Sequence, residues 1–266
     1  LMLLKPFKKI DVYVFSMGLY SKKLRFPKLE KVHYWFINMF TRPTKHIFFL
    51  GQGEMQKALN VHPRHKEKFV LFPFFIDTNF WEGVDIDIED RKNILFVGND
   101  GNRDPVMMIN IIKHFKDIQF NVVSNLQEFS EIKLKNLKLF KGSFGSRDLT
   151  DTQLKKLYNN SKLVILPLKS SFQPSGQSVT LQAMSCGRAV IISETKGFWD
   201  RDSFKDKEHL FFVKNNDLDC WIQKIEELYY NPYSITNVEK KAKDLVVDSF
   251  SLKKFEKKLM ILMELN

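Results

Sequence analysis

From residue 93 onward, short apolar runs alternate with segments whose apolar residues recur every three or four positions, and this narrows the fold more than any other feature. "NILFVG", "IQFNVVS", "LKLFKG", "KLVILPL", "RAVIIS" and "HLFFV" are near-continuous in apolar residues and close on glycine, proline or a polar residue. That is the pattern of strands buried on both faces. Between them, "DPVMMINIIKHF" sets Val106, Met108, Ile109, Ile112 and Phe115 at helical spacing. "LTDTQLKKLYNN" opens with Thr150 and Asp151 as caps, and "DLDCWIQKIEELYYN" carries Asp217 near its start. Strand and helix in alternation, with short links, predict an α/β fold: a doubly wound parallel sheet covered on both faces.

Residues 1–80 repeat the pattern in reduced form. "DVYVFS", "KHIFFLG" and "EKFVLFPF" read as strands, "KLEKVHYWFINMF" and "GEMQKALN" as helices. These are too few for a full second domain, so this part is expected to be a remnant of a similar one. Residues 81–92 read as an acidic linker, 93–232 as the main sheet domain, and 233–266 as two helices split near Ser249 and Ser251 with no fold of their own.

Composition decides a few points. No apolar run approaches the ~20 residues that span a bilayer. The opening "LMLLKPFKK" is apolar and then basic, the reverse of a signal peptide, and begins with Leu1, which suggests an N-terminal truncation. Cys186 and Cys220 have neither disulfide nor metal-ligand spacing and read as reduced core residues, in keeping with the cytoplasm. A net charge of +11 fits an anionic partner, namely nucleotide, nucleic acid or the inner membrane face, and equally a lysine-rich surface that aids solubility. The lysines are scattered, which argues against nucleic acid. His33, His46, His62 and His65 have no motif around them and read as structural or exposed; His114 sits late in a helix, where it complements the dipole.

In open α/β sheets, ligands sit beyond the carboxyl ends of the strands. Three loops reach that edge: "GNDGNRD", "PLKSSFQPSGQ" and "SETKGFWDRD". Small residues ahead of a helix let an anion approach its unpaired N–H groups, so Gly176, Gln177, Ser178 and Val179 are candidates to bind phosphate. A helix terminus contributes only ~0.3–1 kcal/mol, too little for a diphosphate alone. Cations are therefore needed, and Arg103 and Lys169 lie in two of the loops, with Gly98, Asn99 and Asn102 as further loop candidates. With no Asp/His cluster to suggest a metal, the cationic side chains take the place of Mg²⁺, and no cofactor is expected.

"LTDTQLKKLYNNSKLVILPLKSSFQPSGQSVTLQAMSCGRAVIIS", followed by "HLFFVKNNDLDCWIQKIEELYYNP", resembles the C-terminal half of nucleotide-sugar glycosyltransferases of the GT-B fold. The nearest likeness is to the large retaining "group 1" family, and "LQAMSCGRAVI" is its most specific part. The resemblance implies a Rossmann-like donor domain preceded by part of a second one. It also implies transfer of a sugar from a nucleotide diphosphate donor to a saccharide or lipid-linked acceptor, and C-terminal helices that pack back toward the N-terminal part. The basic amphipathic end suits an anionic membrane surface and equally a solvated helix face. That family carries two glutamates around the glycine-rich turn, the first contacting the donor sugar and the second holding the ribose. Pro174 and Gln182 occupy those positions here. Gln182 retains hydrogen-bonding capacity toward ribose without the charge; Pro174 has no polar side chain, so the sugar contact is either lost or moved to Gln177 or Ser178. Two other readings stay open: a non-catalytic module of the same fold that binds nucleotide sugar or a partner, and a basic nucleic-acid-binding protein.

Overall fold

The computed structural model of the chain describes residues 11–21, 26–142, 148–231 and 233–263. The apolar-then-basic opening lies outside them. The described residues form two compact units, one of Leu1–Phe74 with Ser170–Ser175 and Thr195–Arg201, the other of Phe75–Lys169, Gly176–Glu194 and Asp202–Asn266.

The first unit carries β1 (Tyr13–Ser16), α1 (Glu30–Thr41), β2 (His46–Phe49), α2 (Gln52–Val61) and β3 (Phe69–Leu71), its strands parallel in the order β1-β2-β3. The alternation of strand and helix forces this parallel pairing, because a strand can pair parallel with the next only through a crossover. Tyr20, Ile37, Ile47, Phe49, Ala58 and Phe69 make its core. Glu54 of α2 is fully buried and accepts from Ser16 Oγ (2.7 Å), Gly18 N–H (3.2 Å) and Tyr20 N–H (3.0 Å). One carboxylate thus gathers the turn after β1, where Gly18 takes a φ of 100° open to glycine. His62 Nδ1 lies 2.9 Å from Tyr20 Oη, and His65 Nε2 2.7 Å from Asn38 Oδ1, so both rings serve the packing.

The second unit holds a six-stranded parallel sheet in the order β6-β5-β4-β7-β8-β9. Its strands are β4 (Asn93–Val97), β5 (Gln119–Val123), β6 (Leu137–Phe140), β7 (Ser161–Leu166), β8 (Ala189–Ser193) and β9 (Phe211–Val213). Its helices are α3 (Pro105–His114), α4 (Gln127–Ser130), α5 (Asp151–Asn159), α6 (Gln177–Ser185), α7 (Leu218–Tyr229), α8 (Tyr233–Ser249) and α9 (Leu252–Met263). Every residue of β7 is buried, as a sheet covered on both faces requires. One face (Ile94, Phe96, Phe120, Leu163, Ile191) packs under Met108 and Ile112 of α3 and Trp221 and Ile225 of α7. Each such fully buried side chain contributes about 1.5–3 kcal/mol. Alternate residues reach the other face, where Leu166 and Ile192 lie against Gly176 at the head of α6. The acidic stretch joins this unit through Arg91, whose guanidinium forms two hydrogen bonds (2.8 and 3.1 Å) with Glu239 of α8 in a buried ion pair. The break near Ser249 is present: α9 begins after Ser251, which bridges to Ile76.

Two expectations need correction, and one short helix has no counterpart in the sequence pattern. Val106 is 60 % exposed, because α3 turns Met108, Ile111 and Ile112 inward and one position out of phase with them points to solvent. Cys220 is exposed, not core: it stands in the first turn of α7, whose inner face belongs to Trp221 and Ile225. The four-residue α4 is too short to register as a periodic pattern.

Candidate functional site

A cleft of about 450 Å³ opens in the second unit beyond the carboxyl ends of β4 and β5. Its walls are the loop after β4 (Gly98, Asn99, Asp100, Arg103), Gly142 after β6, Leu149, Asp151 and Leu154 around the start of α5, and Ser178, Val179 and Gln182 of α6. Strand order reverses at β4, which has β5 on one side and β7 on the other. Connections leave such a point in opposite directions, so a crevice forms there without any special device.

The α6 wall follows from Gly176. It caps the helix in the left-handed region, with a φ of 84°, where a side chain would be strained. The first intrahelical bond runs from Thr180 N–H to the Gly176 carbonyl (2.9 Å), so the N–H groups of residues 177–179 lie ahead of the ladder at the positive end of the helix dipole. Ser178 and Val179 line the cleft; Gly176 and Gln177 do not.

Arg103 is 3 % exposed, yet lines the cleft. Its Nε donates to the Val97 carbonyl (3.2 Å) and its Nη1 pairs with Asp100 Oδ2 (2.8 Å). Burial pulls its pKa below the usual guanidinium value, and the Asp100 charge opposes that shift. Around it the loops after β4 and β7 run side by side: Lys169 N–H donates to the Asn102 carbonyl (2.8 Å) and Asp104 N–H to the Pro167 carbonyl (3.0 Å). Lys169 is exposed, and neither it nor Asn102 is among the cleft residues; they hold the two loops together through their backbones. Asn99 is a staple, donating through Nδ2 to the Gly142 carbonyl (2.8 Å) and accepting from Asn125 N–H.

Gln182 lines the cleft from the second turn of α6. Its Oε1 accepts from the hydroxyl of Tyr158 (3.1 Å), a fully buried residue of α5. Burial raises that hydroxyl's pKa well above 10, so it remains a neutral donor.

Sequence reading misses the polar web behind these loops. Ser193 Oγ accepts from Leu168 N–H (2.7 Å) and donates to Asn216 Oδ1 (2.7 Å). Asn216 also accepts from Trp221 Nε1 (2.9 Å) and donates to Asp104 Oδ2 (3.2 Å). The available signal is "KNND" after a buried strand: Asn215 and Asn216 take positive φ values of 62° and 46°, which asparagine tolerates. Among the described residues no group of three or more His, Cys, Asp or Glu is placed to hold a metal ion, and no helix is long and apolar enough to cross a membrane.

The sequence pattern of the family described as "Glycosyl transferases group 1" matches residues 91–231, more than half of the chain and all of the cleft. The chain belongs to this family. A search of curated protein sequences gives no match. Among solved structures, this group 1 glycosyltransferase is similar to a glycosyltransferase from Rickettsia africae, with a TM-score of 0.74 at 14 % identity, over 98 % of this chain and 72 % of that one. It is similar to HepE from Anabaena, solved with UDP and glucose, with a TM-score of 0.74 at 12 % identity, over 98 % of this chain and 73 % of that one. Sucrose-phosphate synthase from Thermosynechococcus elongatus gives a TM-score of 0.74 at 12 % identity, over 99 % and 69 % of the two chains. At such identities the likeness concerns the GT-B fold.

Proposed function

We propose that the cleft takes the nucleoside diphosphate of a nucleotide-sugar donor, and that the protein transfers a hexosyl group from it to a saccharide or lipid-linked acceptor without a metal. One observation carries this reading: Arg103, the start of α6 and Gln182 share a single cleft where the strand order reverses. In this scheme the N–H groups of Ser178 and Val179, together with Arg103, neutralise the diphosphate as the glycosidic bond breaks. Hydrogen bonds to charged groups contribute ~1.5–3 kcal/mol each, several times the effect of the helix terminus. Lys169 adds an exposed cation from the loop after β7. Gln182 holds the ribose. The complex of HepE with UDP and glucose favours a uridine donor. The net charge of +11 supports work at an anionic membrane face on the cytoplasmic side.

Thermal melts with UDP, GDP and ADP, followed by nucleotide release from the matching sugar donors, test this. Stabilisation by one nucleotide and its release from the donor are expected. No shift with any of the three overturns the reading.

A second reading, binding without transfer, is favoured by two observations. The carboxylates expected in the family are replaced by Pro174 and Gln182, and the charge of Arg103 is already paired with Asp100. Nucleotide binding with no release from any sugar donor would select it.

A further inference from the structure

We propose that Tyr158 is a positioning residue of the cleft: its hydroxyl fixes the Gln182 amide so that Nε2 faces the ligand. This rests on the reading of the cleft as a nucleotide site.

Tyr158 does not line the cleft. It is fully buried on α5, with its ring edge-on to Trp81 at 5.8 Å between centroids. Its hydroxyl has one partner among the described residues, Gln182 Oε1 at 3.1 Å. A free glutamine presents its oxygen or its nitrogen about equally, since the two ends differ little in shape. Here a flip would turn the NH₂ toward Tyr158, where it could donate to the hydroxyl oxygen but would leave the buried hydroxyl hydrogen without an acceptor among the described residues. The flip is therefore suppressed. Burial keeps the phenol protonated, so the arrangement holds throughout the neutral range. The cleft then offers an N–H donor where a glutamate would offer only acceptors, and the matching ligand group is an oxygen with a free lone pair, such as a ribose hydroxyl.

The test is a double-mutant cycle with Tyr158→Phe, Gln182→Leu and both together, each titrated calorimetrically with UDP, GDP and ADP and each melted. Tyr158→Phe keeps the ring, so its melting temperature is expected to fall in the wild-type background and not in Gln182→Leu, where the hydroxyl has already lost its acceptor. For the tightest of the three nucleotides, Tyr158→Phe is expected to weaken binding about twofold, because a freed amide presents Nε2 to the ligand about half of the time. In the Gln182→Leu background it is expected to weaken binding no further. A full additional loss in that background, or no loss in the wild-type one, overturns the proposal while leaving the nucleotide site intact. Failure of the unmutated protein to bind any of the three overturns both. If Tyr158→Phe does not fold, the side-chain amide ¹⁵N signal of Gln182 in the unmutated protein decides: a shift on adding the nucleotide supports the proposal and an unmoved signal overturns it.

Discussion

The side chain of Arg103 lies directly across Gly98, so closely that a Cβ on that glycine would stand 2.0 Å from Arg103 Nε and 2.7 Å from its Cδ. Gly98 is thus the seat of the cation, and the residue matters for the space it leaves empty. Gly98→Ala is expected to displace the guanidinium from the Val97 carbonyl and from the cleft wall. Nucleotide affinity is expected to fall at least tenfold by calorimetry. Arg103→Lys is expected not to restore it, since an ammonium cannot reproduce a fork that spans Val97 and Asp100. Unchanged affinity in Gly98→Ala would remove Arg103 from the ligand's contacts.

The Arg91–Glu239 pair makes a separate prediction about stability. Glu239 also accepts from Ala189 N–H (3.2 Å), and Arg188 lies close enough for the two guanidinium groups to repel. Removing the carboxylate with Glu239→Leu leaves two buried cations and is expected to cost ~3–5 kcal/mol in urea unfolding. The double replacement Arg91→Met with Glu239→Leu is expected to recover a good part of that loss. If the single and double variants unfold alike, the pair has no such role.

Acid is expected to weaken the first unit through His62. Burial holds its pKa below the ordinary 6.5, and its Nδ1 lies 2.9 Å from the hydroxyl of Tyr20, which burial pushes up to about 12. Below pH 6.5 the unfolded chain therefore binds a proton that the folded chain resists, so stability falls as the pH drops through that value. His65, shifted in the same direction, adds to the slope. Melting temperature measured from pH 7.5 to 5.5 is expected to decline, and His62→Gln to flatten the decline. An equal slope in that variant would refute the assignment.

The two cysteines are expected to differ sharply in reactivity. Cys186 is buried, donates to the Trp81 carbonyl (3.2 Å) and has its pKa raised to about 12, so it stays a thiol. Cys220 is exposed. A thiol reagent on native protein is expected to modify Cys220 alone, with Cys186 reacting after unfolding; mass spectrometry of the labelled peptides reads the difference.

Strands and caps were legible because their signals are local. Thr150 forms a capping box with Gln153, and Asp217 caps α7 by accepting from Cys220 N–H (3.1 Å), as residue type and position lead one to expect. The cleft was legible in part. Gly98, Asn99, Arg103, Ser178, Val179 and Gln182 meet in it because strand order alone fixes which loops share an edge. The near-total burial of Arg103 was not, since arginine seldom leaves solvent and its seat depends on the path of the side chain over Gly98. Lys169 illustrates the converse: loop position was right, but its backbone, not its ammonium, does the visible holding. The Ser193–Asn216 contact joins residues 23 apart in sequence through side chains that carry no motif, so only coordinates reveal it.

That contact has a thermodynamic corollary. With Leu168, Ser193, Asn216, Trp221 and Asp104 linked in one chain of hydrogen bonds, the connections beyond four strands are tethered by the protein's own side chains. Little ordering entropy is left for an incoming molecule to supply. Differences in affinity among candidate nucleotides will then report the chemistry of their contacts, undiluted by the cost of assembling a wall to receive them.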